Sequence, residues 1–179
     1  VRDFRAKPAW RMVVGLGAES VLETSSQLHS ISGFPIIPGT ALKGLARAYA
    51  NLVLGKPPDD PEVIAICGTP PGKTPLKAGH IIFFDAVPGG SPRLKLDVMN
   101  PHYSEYYRDG NTPPADYLSP VPVYFLTVER GGPFRFAVAA HSVHADLAAT
   151  AEKWLQGALR DLGVGAKTTA GYGYLEVIP

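Results

Sequence analysis

The clearest signal along the chain is two helical repeats of apolar positions separated by short apolar runs. Leu42, Leu45, Tyr49, Leu52 and Val53 recur at three- and four-residue spacing, which predicts a helix that stops at Gly55. Pro38-Gly39-Thr40 before it reads as a turn and helix N-cap. Leu147, Ala151, Trp154, Leu155, Ala158, Leu159 and Leu162 trace one face of a second helix, with Asp146 as N-cap and Gly163 just past its end. Strand patterns are expected at Trp10–Leu16, His80–Val87, Leu94–Met99 and Tyr172–Ile178. Val121–Glu129 and Pro133–Ala140 flank Arg130-Gly131-Gly132 and read as a β-hairpin. Ala18–Ile37 and Lys56–Asp60 read as loops, Ile64–Cys67 as a short apolar patch, and Asn100–Pro120 as irregular.

The order is strand, helix, strand, insertion, hairpin, helix, strand. Without the insertion and one extra strand it is the βαββαβ split unit, which predicts an α+β, ferredoxin-like (RRM-like) fold with an antiparallel sheet and large inserted loops. No repeat or linker divides the chain, so residues 1–179 are expected to form a single domain with an irregular insertion at about 88–120.

Composition narrows the function. Of 179 residues, 45% are hydrophobic and 18% charged, a globular balance. The abundance of Gly (19) and Pro (18) implies many turns and shaped loops. No apolar run approaches the ~18 residues of a membrane span, and Val1-Arg2-Asp3-Phe4 has no signal-peptide core. It also has no Met, so the native N-terminus is expected to be missing. The lone Cys67 leaves neither an internal disulfide nor a cysteine-based zinc site, which fits a reducing cytoplasm. A net charge of +1 is low for a free nucleic-acid binder, but a subunit sharing its ligand with neighbours needs only a local basic strip.

Gly163-Val164-Gly165-Ala166-Lys167-Thr168-Thr169-Ala170-Gly171-Tyr172-Gly173 carries the most chemistry. Its glycines let backbone approach a ligand closely, and Lys167, Thr168 and Thr169 add a cation and hydroxyls suited to phosphate. It is not a P-loop. Ala166 stands where Gly is required, Asp161 where the first Gly would fall, and the loop lies between a helix and a strand in the wrong order. Gly72-Lys73-Thr74 fails as well, because Gly68 lies one residue too close.

Lys43 and Arg47, at i and i+4, lie near one face of the first helix beside the Pro38-Gly39-Thr40 turn. They read either as an anion-binding pair or as solvated surface cations. Tyr103, Tyr106, Tyr107 and Arg108 form an aromatic and basic cluster, suited to stacking bases or to a subunit interface. His141 and His144 alone do not complete a metal site, which usually has three or four ligands, and read more ordinarily as a solvated loop and helix start. Asp85 reads as an acid or metal ligand, or more ordinarily as a turn cap, and neither His29 nor His102 has a partner base identifiable by spacing.

Ile37-Pro38-Gly39-Thr40-Ala41-Leu42-Lys43-Gly44-Leu45-Ala46-Arg47 and the loop Gly165–Gly173 resemble two signature segments of the RAMP superfamily of CRISPR-associated proteins. Gly79–Ala86 and Asp97–Tyr107 carry a narrower likeness, to the sixth-subunit family of type III-B (Cmr) effector complexes, and the likeness spans about Trp10 to Ile178. The resemblance implies a non-catalytic, cofactor-free and metal-free antiviral-defence subunit that binds guide RNA (crRNA) and the guide–target duplex near the 3′ end of the guide. Its implied partners are the repeated backbone subunit, the small helical subunit and the other terminal RAMP subunit of an RNA-targeting complex, with no membrane. Lys43, Arg47 and Lys167 are the expected phosphate contacts. Gly39, Gly165, Gly171 and Gly173 are expected to permit close backbone approach, and Thr168, Thr169 and Tyr172 to add hydrogen bonds or stacking. His102, Tyr103 and Tyr107 are candidates for RNA or subunit contact. The rivals are a RAMP endoribonuclease that processes precursor guide RNA with His29 as base, and a protein scaffold that touches no RNA.

Overall fold

A computed structural model describes residues 1–17, 24–70, 72–100, 122–140 and 142–179. Its elements are β1 (Arg2–Pro8), α1 (Gly39–Leu52), α2 (Pro61–Cys67), β2 (Ile81–Phe83), β3 (Val87–Pro88), β4 (Leu94–Met99), β5 (Val123–Val128), β6 (Phe134–Ala140), α3 (Ala145–Asp161) and β7 (Leu175–Ile178). Thr168–Ala170 forms a single 3-10 turn between α3 and β7.

The main sheet is antiparallel in the order β2-β6-β1-β7, and β3 continues the edge beyond β2 against β6. Residues alternate across it as the pleat requires. Phe4, Ala6, Phe134, Phe136 and Val138 are buried, with Phe4 stacked on Phe136 at 5.1 Å between ring centroids. Leu42, Ala46 and Ala50 of α1 and Ala151, Leu155 and Leu159 of α3 complete that core. The opposite face carries Asp3, Arg5, Lys7 and Arg135.

The two long helices lie where the periodicity places them. The apolar patch at Ile64–Cys67 is the end of a third helix, α2, with Pro61 in its first turn and the Asp60 carboxylate accepting from the Glu62 and Val63 N–H groups. Seven residues are too few for periodicity to declare a helix.

Three strand expectations need correction. The first strand is Arg2–Pro8, upstream of Trp10–Leu16; its alternation of charged and apolar residues is the half-buried signature that a search for apolar runs passes over. Within Trp10–Leu16 only Met12 makes a bridge, to Val128. The strand expected at His80–Val87 breaks into β2 and β3, because Ala86 leaves the sheet edge to bridge with Ile37. β5 and β6 do not form a hairpin: β5 pairs along its length with β4 in a separate two-stranded sheet, and β6 lies at the centre of the main sheet. The strand expected at Leu94–Met99, within the insertion expected at about 88–120, is β4. Residues 101–121 lie outside the described residues.

Candidate nucleic-acid interface

The Ile37–Arg47 segment is largely committed to the fold. Ile37 is buried and exchanges backbone hydrogen bonds with Ala86 at 3.0 and 2.8 Å. That bridge turns Asp85 toward the start of α1, where its carboxylate accepts the Gly39 N–H at 2.7 Å. The positive end of the helix is thus served by a carboxylate of the chain itself. A Cβ at Gly39 would overlap the Phe83 carbonyl oxygen. Gly39 permits a close approach as expected, but the approaching group is β2 backbone rather than a ligand.

Arg47 is also engaged within the fold. Its guanidinium donates to the Cys67 carbonyl at 2.6 Å and the Gly68 carbonyl at 2.9 Å, holding the C-terminus of α2 against α1. The last carbonyls of a helix lack partners within it, and Arg47 satisfies two of them. The Cys67 thiol is buried at the same junction, and burial raises its pKa against the opposing pull of Arg47 and Lys43. Lys43 is half-exposed, with no ion pair or side-chain hydrogen bond among the described residues.

The glycine loop has a locked base and an open tip. At the base, Ala166 donates to the Val13 carbonyl at 2.9 Å, Gly173 to Arg11 at 2.8 Å, and Val164 to Gly173 at 2.8 Å. Gly165 and Gly173 have positive φ, and a Cβ on either would overlap the Val13 or Val164 carbonyl oxygen. Gly173 is buried and its N–H is used, so it shapes the loop and offers nothing to a ligand.

Tyr172 is likewise internal. It is buried, packs at 4.8 Å between centroids from Trp10 and 6.0 Å from Phe125, and donates its hydroxyl to Asp97 at 2.7 Å. Arg11 also donates to Asp97. Burial works to raise the Asp97 pKa, but the Tyr172 hydroxyl, the Arg11 guanidinium and the Val98 N–H hold the carboxyl below its usual value. Burial and the Asp97 charge raise the Tyr172 pKa. Tyr172 is therefore no platform for a base; it fastens the loop to β4.

The tip presents what remains. Thr169, Ala170 and Gly171 are exposed, and a Cβ at Gly171 would meet nothing within 4 Å. Lys167 takes a left-handed conformation, φ 61°, and its Nζ lies 5.4 Å from the Phe125 ring centroid. Among the described residues, the N–H groups of Gly165, Lys167, Thr168 and Thr169 and both threonine hydroxyls have no protein partner. Four backbone donors, two hydroxyls and an ammonium within five residues make up a donor-rich segment of the kind that suits an anion.

His29 serves a turn. Its ring stacks on Phe34 at 4.9 Å, and its Nδ1 accepts the Ser32 N–H at 3.2 Å. His102, Tyr103 and Tyr107 lie outside the described residues. Among the described residues no three His, Cys, Asp or Glu side chains are grouped to hold a metal, and no helix is long and apolar enough to cross a membrane.

Comparison with known proteins agrees with this architecture. The RAMP superfamily model matches residues 11–176. The chain is 35% identical to the CRISPR system Cmr subunit Cmr6 of Pyrococcus furiosus over 221 aligned positions, covering 92% of this chain and 64% of that relative. The crystal structure of Cmr6 from Pyrococcus furiosus superposes with a TM-score of 0.61 at 34% identity, covering 99% of this chain and 97% of that one. A chain in the cryo-EM structure of the type III-B Cmr-beta complex bound to cognate target RNA gives a TM-score of 0.76 at 25% identity, covering 99% of this chain and 58% of that one. Both signature segments fall inside the span matched by the superfamily model, which covers most of the chain, so the chain belongs to the RAMP superfamily.

Proposed function

We propose that this protein is a guide-RNA-binding and assembly subunit of a type III-B CRISPR effector complex, without a catalytic role of its own. The carrying observation is the glycine loop: N–H groups at Gly165 and Lys167–Thr169 and two threonine hydroxyls that have no protein partner among the described residues, with the Lys167 ammonium, on a base locked by Arg11, Val13 and Asp97. Such a donor set takes phosphate and ribose oxygens and positions a strand, leaving sequence to base pairing within the guide. Lys43 is the second expected phosphate contact. Gly39, Arg47, Tyr172 and Gly173 act through the fold instead.

The strand order β2-β6-β1-β7, with α1 and α3 each between sequential strands, supports the ferredoxin-like reading. Likeness to Cmr6 and to a chain of an RNA-bound Cmr complex supports the partners: guide RNA, its duplex with target, the repeated backbone subunit, the small helical subunit and the other terminal RAMP subunit. The cytoplasm is the corresponding location.

The test is reconstitution of the complex with Lys43→Glu and Lys167→Glu together. Guide retention is expected to fall, and the log–log salt slope of binding to drop by about one for each lost phosphate contact. Retention unchanged at every salt concentration, with guide crosslinks confined to other subunits, overturns the reading in favour of a scaffold.

A further inference from the structure

The open face of the main sheet carries a charge arrangement that neither the glycine loop nor α1 accounts for. Arg5 of β1 and Arg135 of β6 are directly opposite each other in the antiparallel register. Directly paired residues share one face, and like charges there destabilise a sheet unless something neutralises them. Arg135 has a counterion, Asp3, at 3.0 Å, and Lys7 has Glu176 at 3.4 Å. Arg5 has none among the described residues. The face therefore holds one uncompensated guanidinium beside a compensated one.

Arg5 and Arg135 both line a cleft of about 330 Å³ whose other walls are Val87–Gly89, Pro133 and Phe134. No carboxylate lines the cleft, since Asp3 pairs with Arg135 from outside the lining, and the walls add no free N–H donor. Pro88 and Pro133 have no N–H, and the Gly89 N–H is donated to the Pro133 carbonyl at 2.7 Å. The arginines are the only charged groups on the lining.

We propose that the Arg5–Arg135 cleft binds a phosphate group, in a second anion site separate from the glycine loop. Two planar forks reaching from neighbouring strands match a tetrahedral oxyanion, which offers oxygens in more than one plane. A carboxylate is satisfied by a single fork and leaves the second arginine without a role. The carboxylates of Asp3 and Glu176, which pair with Arg135 and Lys7 to either side of Arg5, limit the site to one group rather than a track of many.

The experiment is a titration of the full chain, followed by the arginine Nε–Hε signals in 1H–15N spectra. The probes are inorganic phosphate and a short RNA lacking terminal phosphates. Phosphate is expected to move the Arg5 and Arg135 signals with a dissociation constant on the order of 1 mM. Arg5→Gln should weaken this at least about tenfold, while Lys167→Glu leaves it intact, so failure of the glycine-loop reading is told apart from failure of this one. Shifts with both probes identify an RNA phosphodiester as the source, and shifts with inorganic phosphate alone identify a free phosphate. No shift at about ten times the expected constant, or shifts equal in Arg5→Gln, overturns the proposal.

Discussion

The Tyr172 hydroxyl donates to Asp97 across 2.7 Å and so joins the last residues of the glycine loop to the two-stranded sheet. With Arg11 on the same carboxylate, this is the main polar tie between loop and β4. Asp97→Ala leaves Arg11 and Tyr172 without their acceptor in a mostly buried place and is expected to cost about 2 kcal/mol. Tyr172→Phe should cost about 1 kcal/mol. Chemical denaturation of the three proteins measures both.

The same carboxylate gives an acid-side signature. The folded Asp97 pKa is depressed, so its stabilisation is present above the unfolded value of about 3.9 and disappears as pH falls through the folded value. Denaturation midpoints recorded from about pH 6 downward are expected to fall less steeply in Asp97→Asn than in the parent. Equal slopes would show that Asp97 does not contribute.

The two glycines of α1 predict opposite outcomes. Gly39→Ala forces a methyl group onto the Phe83 carbonyl and is expected to destabilise by about 3 kcal/mol. Gly44 is exposed and faces open space, so Gly44→Ala should stabilise the helix by up to about 1 kcal/mol. Thermal melts of the pair separate packing from propensity.

Lys167 carries a left-handed conformation that glycine adopts without strain. Lys167→Gly is expected to raise stability by about 1 kcal/mol while lowering guide retention in the reconstituted complex. Gains in both would show that the ammonium is dispensable.

Arg47→Ala is expected to cost about 2 kcal/mol by releasing the Cys67 and Gly68 carbonyls, with retention falling no further than lost stability explains. Lys43→Ala should do the reverse, leaving the melt unchanged and weakening retention. The two side chains are one helical turn apart in sequence, and only their partners separate their roles.

That contrast marks what the sequence made legible. Periodicity located α3 because it buries the stripe that was read, and α1 although its buried stripe is Leu42, Ala46 and Ala50, with Leu52 and Val53 of the apolar pattern exposed. It did not find β1, whose alternating charges face solvent, nor the pairing of β4 with β5, which is a contact between strands far apart in the chain. Motif reading found the glycine loop and the Ile37–Arg47 segment, but it could not tell ligand-facing residues from fold-facing ones. Gly39 and Gly171 look alike in sequence; one meets β2 backbone and the other meets nothing. Asp85 was readable as a turn cap, although only the β2–β3 break shows that the cap belongs to α1.

The burial of Cys67 has a practical reach. It is the only cysteine of the chain, shielded between α1 and α2 with a thiol whose pKa is pushed up, so maleimide reagents meet little thiolate in the folded state. One new cysteine at exposed Thr169 would therefore accept a fluorophore at the loop tip with no background to remove. Slow modification of Cys67 itself would time the parting of the two helices.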